Sequence, residues 1–225
     1  DGYPEANARH YAFMLDGLAD VGAALARRGI GFAVLRGSPE AVAIALARKA
    51  ALVVCDRGYL RHQKTWRTAL AEAAACRVIQ IEGDVVVPVD LASGKQEIAA
   101  RTLRPKILKM RDDFVRPLPR TAVKVKADSL SLPNALDVSD ASGLLAKLDI
   151  DASVPPVDRF KGGSLEASRR LRAFVSGGLA GYADGRSEPA REQVSFLSAY
   201  LHFGQISPVE IALEVSEANA DRPDA

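Results

Sequence analysis

The chain has 225 residues, 48% hydrophobic and 26% charged, with a formal net charge of +2. This composition describes a soluble globular protein able to bury a core, and it excludes wholesale disorder, a collagen-like repeat and a small disulfide scaffold. No apolar run reaches the roughly 18 residues of a membrane span, and Asp1-Gly2-Tyr3-Pro4-Glu5-Ala6-Asn7 has neither the basic nor the apolar region of a signal peptide. The missing initiator Met leads us to expect that the chain begins inside a longer gene product. The near-balance of charge does not announce nucleic acid. A local cluster, Arg101, Arg104, Lys106, Lys109 and Arg111, contains no acid, and a solvated helix face is the favoured reading over a phosphate-binding one. Cys55 and Cys76 form no metal pattern and read as buried thiols of a cytoplasmic protein.

From Asn7 to Arg28, Tyr11, Met14, Leu15, Leu18 and Leu25 recur at helical spacing, and Gly29 suits the C′ position that stops the helix. Ile30 to Leu35 is nearly all apolar, as expected of a strand covered on both faces. Ser38 followed by Pro39 predicts an N-cap and N1 pair, with a helix to about Lys49. Ala51–Cys55 predicts a strand, Leu60–Ala75 a helix, Val78–Ile81 a third strand and Val85–Val89 a short fourth one. This alternation predicts a parallel sheet with crossover helices. Because the chain opens on a helix, a first strand is expected upstream.

A further helix is predicted from Ile98 to about Phe114. Arg116 to Asp158 is broken by Pro117, Pro119, Pro133, Pro155 and Pro156 and reads as an interdomain connector. From Lys161 onward the pattern is helical. One helix follows Gly162-Gly163-Ser164, with Leu165, Leu171, Phe174, Val175 and Leu179 inward. A turn through Gly185 to Pro189 leads to a helix near Val194–Phe203, and another starts at Pro208. The expected division is residues 1–115 as an α/β domain, 116–160 as connector and 161–225 as the start of an all-α domain.

Familiar catalytic signals are scarce. His10, His62 and His202 have no second ligand at metal spacing, so surface or hydrogen-bonded structural roles are favoured. There is no Gly-x-Gly-x-x-Gly after a strand, no Walker loop and no Gly-x-Ser-x-Gly elbow. One segment stands apart. Ser195-Phe196-Leu197-Ser198 brings two hydroxyls to a helix start, where unpaired N–H groups and the dipole favour phosphate. On these grounds alone, an ordinary capped helix with Tyr200 and Phe203 packed inward is the commoner explanation.

The segment from Tyr182 through Arg186-Ser187-Glu188-Pro189 to Ser195-Phe196-Leu197-Ser198-Ala199-Tyr200-Leu201-His202-Phe203-Gly204-Gln205-Ile206-Ser207 resembles the flavin-binding signature of the DNA photolyase and cryptochrome superfamily. Arg9-His10-Tyr11, Phe13-Met14-Leu15, Leu35-Arg36-Gly37, Tyr59-Leu60-Arg61 and Trp66-Arg67 resemble the antenna domain of class II cyclobutane pyrimidine dimer photolyases. So does the run from Glu82-Gly83-Asp84 through Val89, continued by Ala100-Arg101-Thr102-Leu103-Arg104-Pro105-Lys106-Ile107. Ser187 stands where Asn is usual, Ala199 where Pro is usual, and Phe196 where a small or polar residue is common.

The resemblance implies a Rossmann-like parallel-sheet antenna domain followed by an all-helical domain that holds FAD. Tyr182, Ser195, Phe196, Leu197 and Ser198 would line the phosphate and ribitol side of the flavin, and Arg186 would lie near a DNA-facing cleft. It also implies light-dependent repair of pyrimidine dimers in UV-damaged DNA by electron transfer from reduced FAD, with no side-chain nucleophile. A second antenna chromophore of deazaflavin or folate type, no membrane partner and a monomeric state are further expectations. Trp66 is the only tryptophan, so the electron-transfer tryptophans are expected outside this chain, which would itself be an inactive fragment. The alternatives are a cryptochrome-type photoreceptor without repair activity and an unrelated nucleotide-binding module.

Overall fold

The computed structural model describes residue 3, residues 5–127 and residues 132–220. Asp1, Gly2 and Pro4 of the opening segment, Asp128–Ser131 of the expected connector and Asp221–Ala225 lie outside the described residues. In chain order the elements are α1 (Ala8–Ala26), β1 (Val34–Leu35), α2 (Pro39–Ala47), β2 (Leu52–Asp56), α3 (Arg61–Ala73), β3 (Arg77–Ile81), α4 (Val89–Ala92) and α5 (Ala100–Phe114). There follow β4 (Ala135–Leu136), α6 (Ala141–Leu145), α7 (Ser164–Ala173), a π-turn (Phe174–Gly178), α8 (Tyr182–Gly185), a short 3-10 turn (Pro189–Arg191), α9 (Ser198–His202) and α10 (Pro208–Ala220). A mixed α/β region with small sheets thus precedes a predominantly helical one. No described helix is long and apolar enough to cross a membrane.

Local signals set several boundaries. At the end of α1, Gly29 adopts φ 71°. Its N–H donates to Ala26 C=O at 2.9 Å and the Ile30 N–H donates to Leu25 C=O at 3.0 Å, the two bonds of a Schellman closure that requires a left-handed residue. That closure consumes the Ile30 N–H, and the strand predicted over Ile30–Leu35 forms only at Val34–Leu35. It pairs antiparallel with β4, which lies inside the stretch expected to be connector. Ser38 and Pro39 open α2 as predicted. The predicted strand at Val85–Val89 does not form. Pro88 has no N–H to give a ladder, the Val89 N–H donates to Glu82 Oε1 at 2.7 Å, and α4 begins instead.

The chain divides into two compact units. One comprises Arg36–Leu118 and Ser207–Leu213. Within it β2 and β3 run parallel from Leu52 against Arg77 to Asp56 against Ile81, and Ala47, Leu70, Val87 and Ala92 are buried. Cys55 and Cys76 are half-buried, unpaired thiols, more accessible than the sequence suggested. None of the residues of α5 is buried, which matches a solvated face for the basic cluster. Two of those cations are ion-paired: Lys106 donates to Glu97 and, at 2.9 Å, to Ser93 Oγ, and Arg111 donates to Asp112 Oδ1 at 3.0 Å.

The other unit comprises Asp1–Leu35, Pro119–Ile206 and Glu214–Ala225. Its core is Phe13 and Leu15 of α1, Ala167 and Leu171 of α7, and Leu197, Tyr200 and Ile206. Phe13 meets Tyr200 edge-on at 5.0 Å and Phe203 at 5.5 Å between ring centroids. One polar side chain crosses this apolar contact. Gln205, 6% exposed, accepts from the Gly163 N–H at 2.7 Å and donates to Phe13 C=O at 3.0 Å. Its amide lies so close to α1 that a β-carbon on Gly17 would fall 2.2 Å from Nε2. Gly163 sits at φ 116°, where only glycine is unstrained, and this aims its N–H at Gln205. Aspartates of α1 complete the junction: Asp16 accepts from the Gly162 N–H at 3.3 Å and Asp20 from the Leu165 N–H at 3.1 Å. Asp20 therefore serves a first-turn N–H of α7 that has no intrahelical partner.

Gln205→Ala leaves the buried Gly163 N–H without its partner and removes the second bond at the Phe13 C=O, and should lower stability by about 1–3 kcal/mol. A urea unfolding curve checks this, and an unchanged midpoint would refute the keystone role. Glu97 provides a pH test. Hydrogen bonds from Lys106, Thr102 and Ser93 hold its carboxyl down at about 2, from an ordinary value of 4.5. A depressed carboxylate stabilises the fold above its unfolded value and loses that contribution as pH falls. The Glu97 contribution should therefore fade between pH 4.5 and about 2. Acid titrations of stability for the wild type and Glu97→Gln should converge across that window.

Candidate functional site

The sequence-predicted site residues fall into two neighbouring groups. Tyr182 opens α8 and Arg186 caps its C-terminal end, with the guanidinium 5.9 Å from the Tyr182 ring centroid. Tyr182 is 37% exposed, and its other ring contact is Phe174, edge-on at 5.5 Å. Phe174 begins the π-turn, which closes with the Leu179 N–H donating to Phe174 C=O at 2.8 Å.

Ser195, Phe196, Leu197 and Ser198 form the second group. The sequence predicts a helix from near Val194, yet α9 starts only at Ser198 because Phe196 takes a left-handed conformation with φ 55°. Leu197 is 2% exposed, so its side chain anchors the segment in the core, and its N–H donates to Ser195 Oγ at 3.4 Å. Ser195 is half-buried and Ser198 exposed. The first N–H groups of α9 precede its first backbone bond, from the Leu201 N–H to Leu197 C=O at 3.0 Å. Behind the segment, the buried Tyr200 donates its phenolic proton to Lys161 C=O at 2.7 Å, and burial pushes its pKa up.

Gln193 links the two groups. A β-carbon on Gly181 would fall 2.0 Å from its Oε1, and one on Gly185 would fall 2.6 Å from its Cβ. Gly181, just before α8, and Gly185, its last residue, therefore let the chain ahead of Ser195 lie directly against the Tyr182 turn. Two residues with side-chain bonds around this segment carry no local sequence signal of that placement: Gln205, between Gly204 and Ile206, and Arg159, which donates to Glu192.

The remaining candidates are placed as follows. His10 accepts from the Asn7 N–H at 3.3 Å, His62 lies edge-on to Trp66 at 4.8 Å and His202 edge-on to Phe203 at 4.8 Å. Among the described residues no group of His, Cys, Asp and Glu could hold a metal ion. In the other unit, a cleft of about 600 Å³ adjoins the carboxyl ends of β2 and β3, lined by Cys55, Arg57, Tyr59, Lys64, Arg67 and Gln80. At its rim Arg57 pairs with Asp90 at 2.7 Å and Glu82 at 3.3 Å. Burial alone would raise the Glu82 carboxyl, but bonds from Tyr59 and the Val89 N–H, with the Arg57 charge, hold it below its ordinary value. The Tyr59 phenol is pushed up by burial and by the same carboxylate.

Comparison with known proteins identifies the family. The DNA photolyase family model matches residues 2–123. The chain belongs to the DNA photolyase family. It is 40% identical over 219 residues to the deoxyribodipyrimidine photo-lyase of Methanothermobacter thermautotrophicus, covering 97% of this chain and 48% of that protein. The deoxyribodipyrimidine photo-lyase of Potorous tridactylus is 30% identical over 224 residues, covering 98% of this chain and 41% of that protein. The chain thus spans about half the length of these photolyase relatives. Among solved structures, a Synechocystis cryptochrome superposes with a TM-score of 0.74 at 20% identity, over 100% of this chain and 48% of that one. A class III photolyase from Agrobacterium tumefaciens gives 0.67 at 21% identity, over 98% of this chain and 49% of that one. These two likenesses establish the photolyase-type fold.

The packing of Gln193 yields a direct test. Gly185→Ala forces a methyl group against Gln193 Cβ, a contact that no side-chain rotation relieves, and should cost about 1–3 kcal/mol. Gly181→Ala meets only the mobile end of the same side chain and should cost less. Urea unfolding of both variants checks the order.

Proposed function

We propose that the whole protein is a class II deoxyribodipyrimidine photolyase, repairing cyclobutane pyrimidine dimers in DNA under light. The observation that carries this reading is the collinear 40% identity over 97% of the chain with the Methanothermobacter thermautotrophicus photo-lyase. The choice of class II rests on the antenna-type runs around Phe13-Met14-Leu15 and Ala100-Arg101-Thr102-Leu103-Arg104-Pro105-Lys106-Ile107.

The residues present fit a flavin. Half-buried Ser195 and exposed Ser198 stand on a segment fixed from behind by buried Leu197 and Tyr200, and their hydroxyls can donate to a diphosphate. We assign Ser195, Ser198 and the main chain at Phe196 and Leu197 to the phosphate and ribitol side, with the exposed Tyr182 ring as a further wall. FAD, when bound and reduced, supplies the photo-excited electron for dimer splitting. The protein's part is to hold and orient it, and exposed Arg186 is suited to a DNA phosphate next to Tyr182. A second chromophore, if one is carried, has the Arg57, Lys64 and Arg67 cleft at the carboxyl ends of the parallel strands, the usual position for ligands of such sheets. The solvated α5 face is assigned no DNA contact.

The test uses the full-length protein. It should purify with flavin absorbance and, under blue light with reductant, clear cyclobutane thymine dimers from an oligonucleotide. Ser195→Ala combined with Ser198→Ala removes hydrogen bonds to a charged ligand and should weaken flavin retention about 10- to 100-fold. Bound flavin without light-dependent repair would favour a cryptochrome-type photoreceptor instead. A protein that stays colourless after FAD reconstitution would overturn both readings.

A further inference from the structure

Two residues other than glycine bracket the serine segment in left-handed conformations, Glu192 at φ 49° and Phe196 at φ 55°. Such residues carry a conformational cost and persist only where their surroundings enforce them. Both lack the small polar side chain that would ease this conformation. The loop between them positions Ser195, so whatever enforces the two ends also sets that hydroxyl.

One side chain reaches both. Arg159 donates through Nη2 to Glu192 Oε1 at 2.9 Å, and its guanidinium carbon lies 4.9 Å from the Phe196 ring centroid. Phe160 adds an edge contact to Phe196 at 6.1 Å between centroids. The Arg159 main chain is itself held, because Arg170 of α7 donates to its carbonyl while bonding Glu166 at 3.0 Å and lying 4.7 Å from the Phe160 ring. An exposed ion pair alone contributes little, and Arg159 is 54% exposed. The informative feature is that a single planar cation, anchored from behind, engages both strained positions at once. Lysine could reproduce the charge but not the flat face against the ring.

We propose that Arg159 is a positioning residue that clasps the Glu192–Phe196 loop and so presents Ser195 to the flavin; this rests on the flavin reading of that segment. The departure from the usual small or polar residue at Phe196 then has a role, since the ring is the surface the guanidinium grips.

The experiment is amide hydrogen exchange and flavin retention in the full-length protein carrying Arg159→Ala or Arg159→Lys. In Arg159→Ala, amides of residues 193–198 should exchange about tenfold faster, the combined scale of an exposed cation–π contact and a surface ion pair. Unfolding should stay cooperative, with global stability lowered by no more than that same factor. Flavin retention should weaken by a similar factor, and Arg159→Lys should recover part of both losses. Unchanged loop exchange in Arg159→Ala overturns the clasp. Faster loop exchange with undiminished flavin retention overturns the positioning role while leaving the flavin assignment standing. A wild-type protein that holds no flavin removes the flavin reading, and the positioning role with it, while the exchange data still decide whether the clasp exists. Glu192→Gln weakens the same clasp from its other side, and should also speed loop exchange, if Arg159→Ala does not fold.

Discussion

The buried amide of Gln205 is the constraint on which the helical unit depends. It satisfies the Gly163 N–H, which the surrounding apolar contact would otherwise strand, and adds a second bond to the Phe13 C=O of α1; burying that N–H unpaired would cost more than the bond itself contributes. Its two partners lie on different elements, Phe13 on α1 and Gly163 at the entry to α7. The positive φ of Gly163 and the missing side chain at Gly17 make room for that amide, and the two aspartates of α1 hold the same chain entry through the Gly162 and Leu165 N–H groups. With the amide in place, Phe13, Tyr200 and Phe203 pack around a defined geometry, and α9 inherits its position.

The candidate site is the outer face of this arrangement. Leu197 and Tyr200 are buried in the core, while Ser195 is half-buried and Ser198 exposed. The left-handed backbone at Phe196 turns the chain between these two environments. A helix beginning at Val194, as hydrophobic spacing suggests, would have carried Ser195 and Leu197 on a continuous spiral. The break converts the four residues into a surface loop followed by a short helix.

How much of this is legible in sequence depends on how local the cause is. The Gly29 stop and the Ser38–Pro39 start are decided within a few residues, and both appear where sequence chemistry puts them. The order of an α/β region followed by helices is legible for the same reason. The pairing of Val34–Leu35 with Ala135–Leu136 is not, since it joins residues a hundred positions apart and β4 is only two residues long. Val85–Val89 reads as a strand from side-chain composition, but the outcome turns on backbone donors: Pro88 has none and Glu82 takes the one at Val89. The serine segment was visible through its hydroxyls and its family likeness. Its backbone twist was not, because nothing in Phe196 itself favours that conformation.

The distance along the chain between Phe13 and Gln205 also bears on synthesis. They are separated by 192 residues, and at roughly 5–20 residues per second a ribosome needs about 10–40 s to supply the second after the first. During that interval α1 has its apolar face and its aspartates but not the partner that locks them. Slow vectorial growth therefore sets the earliest moment at which this unit can close.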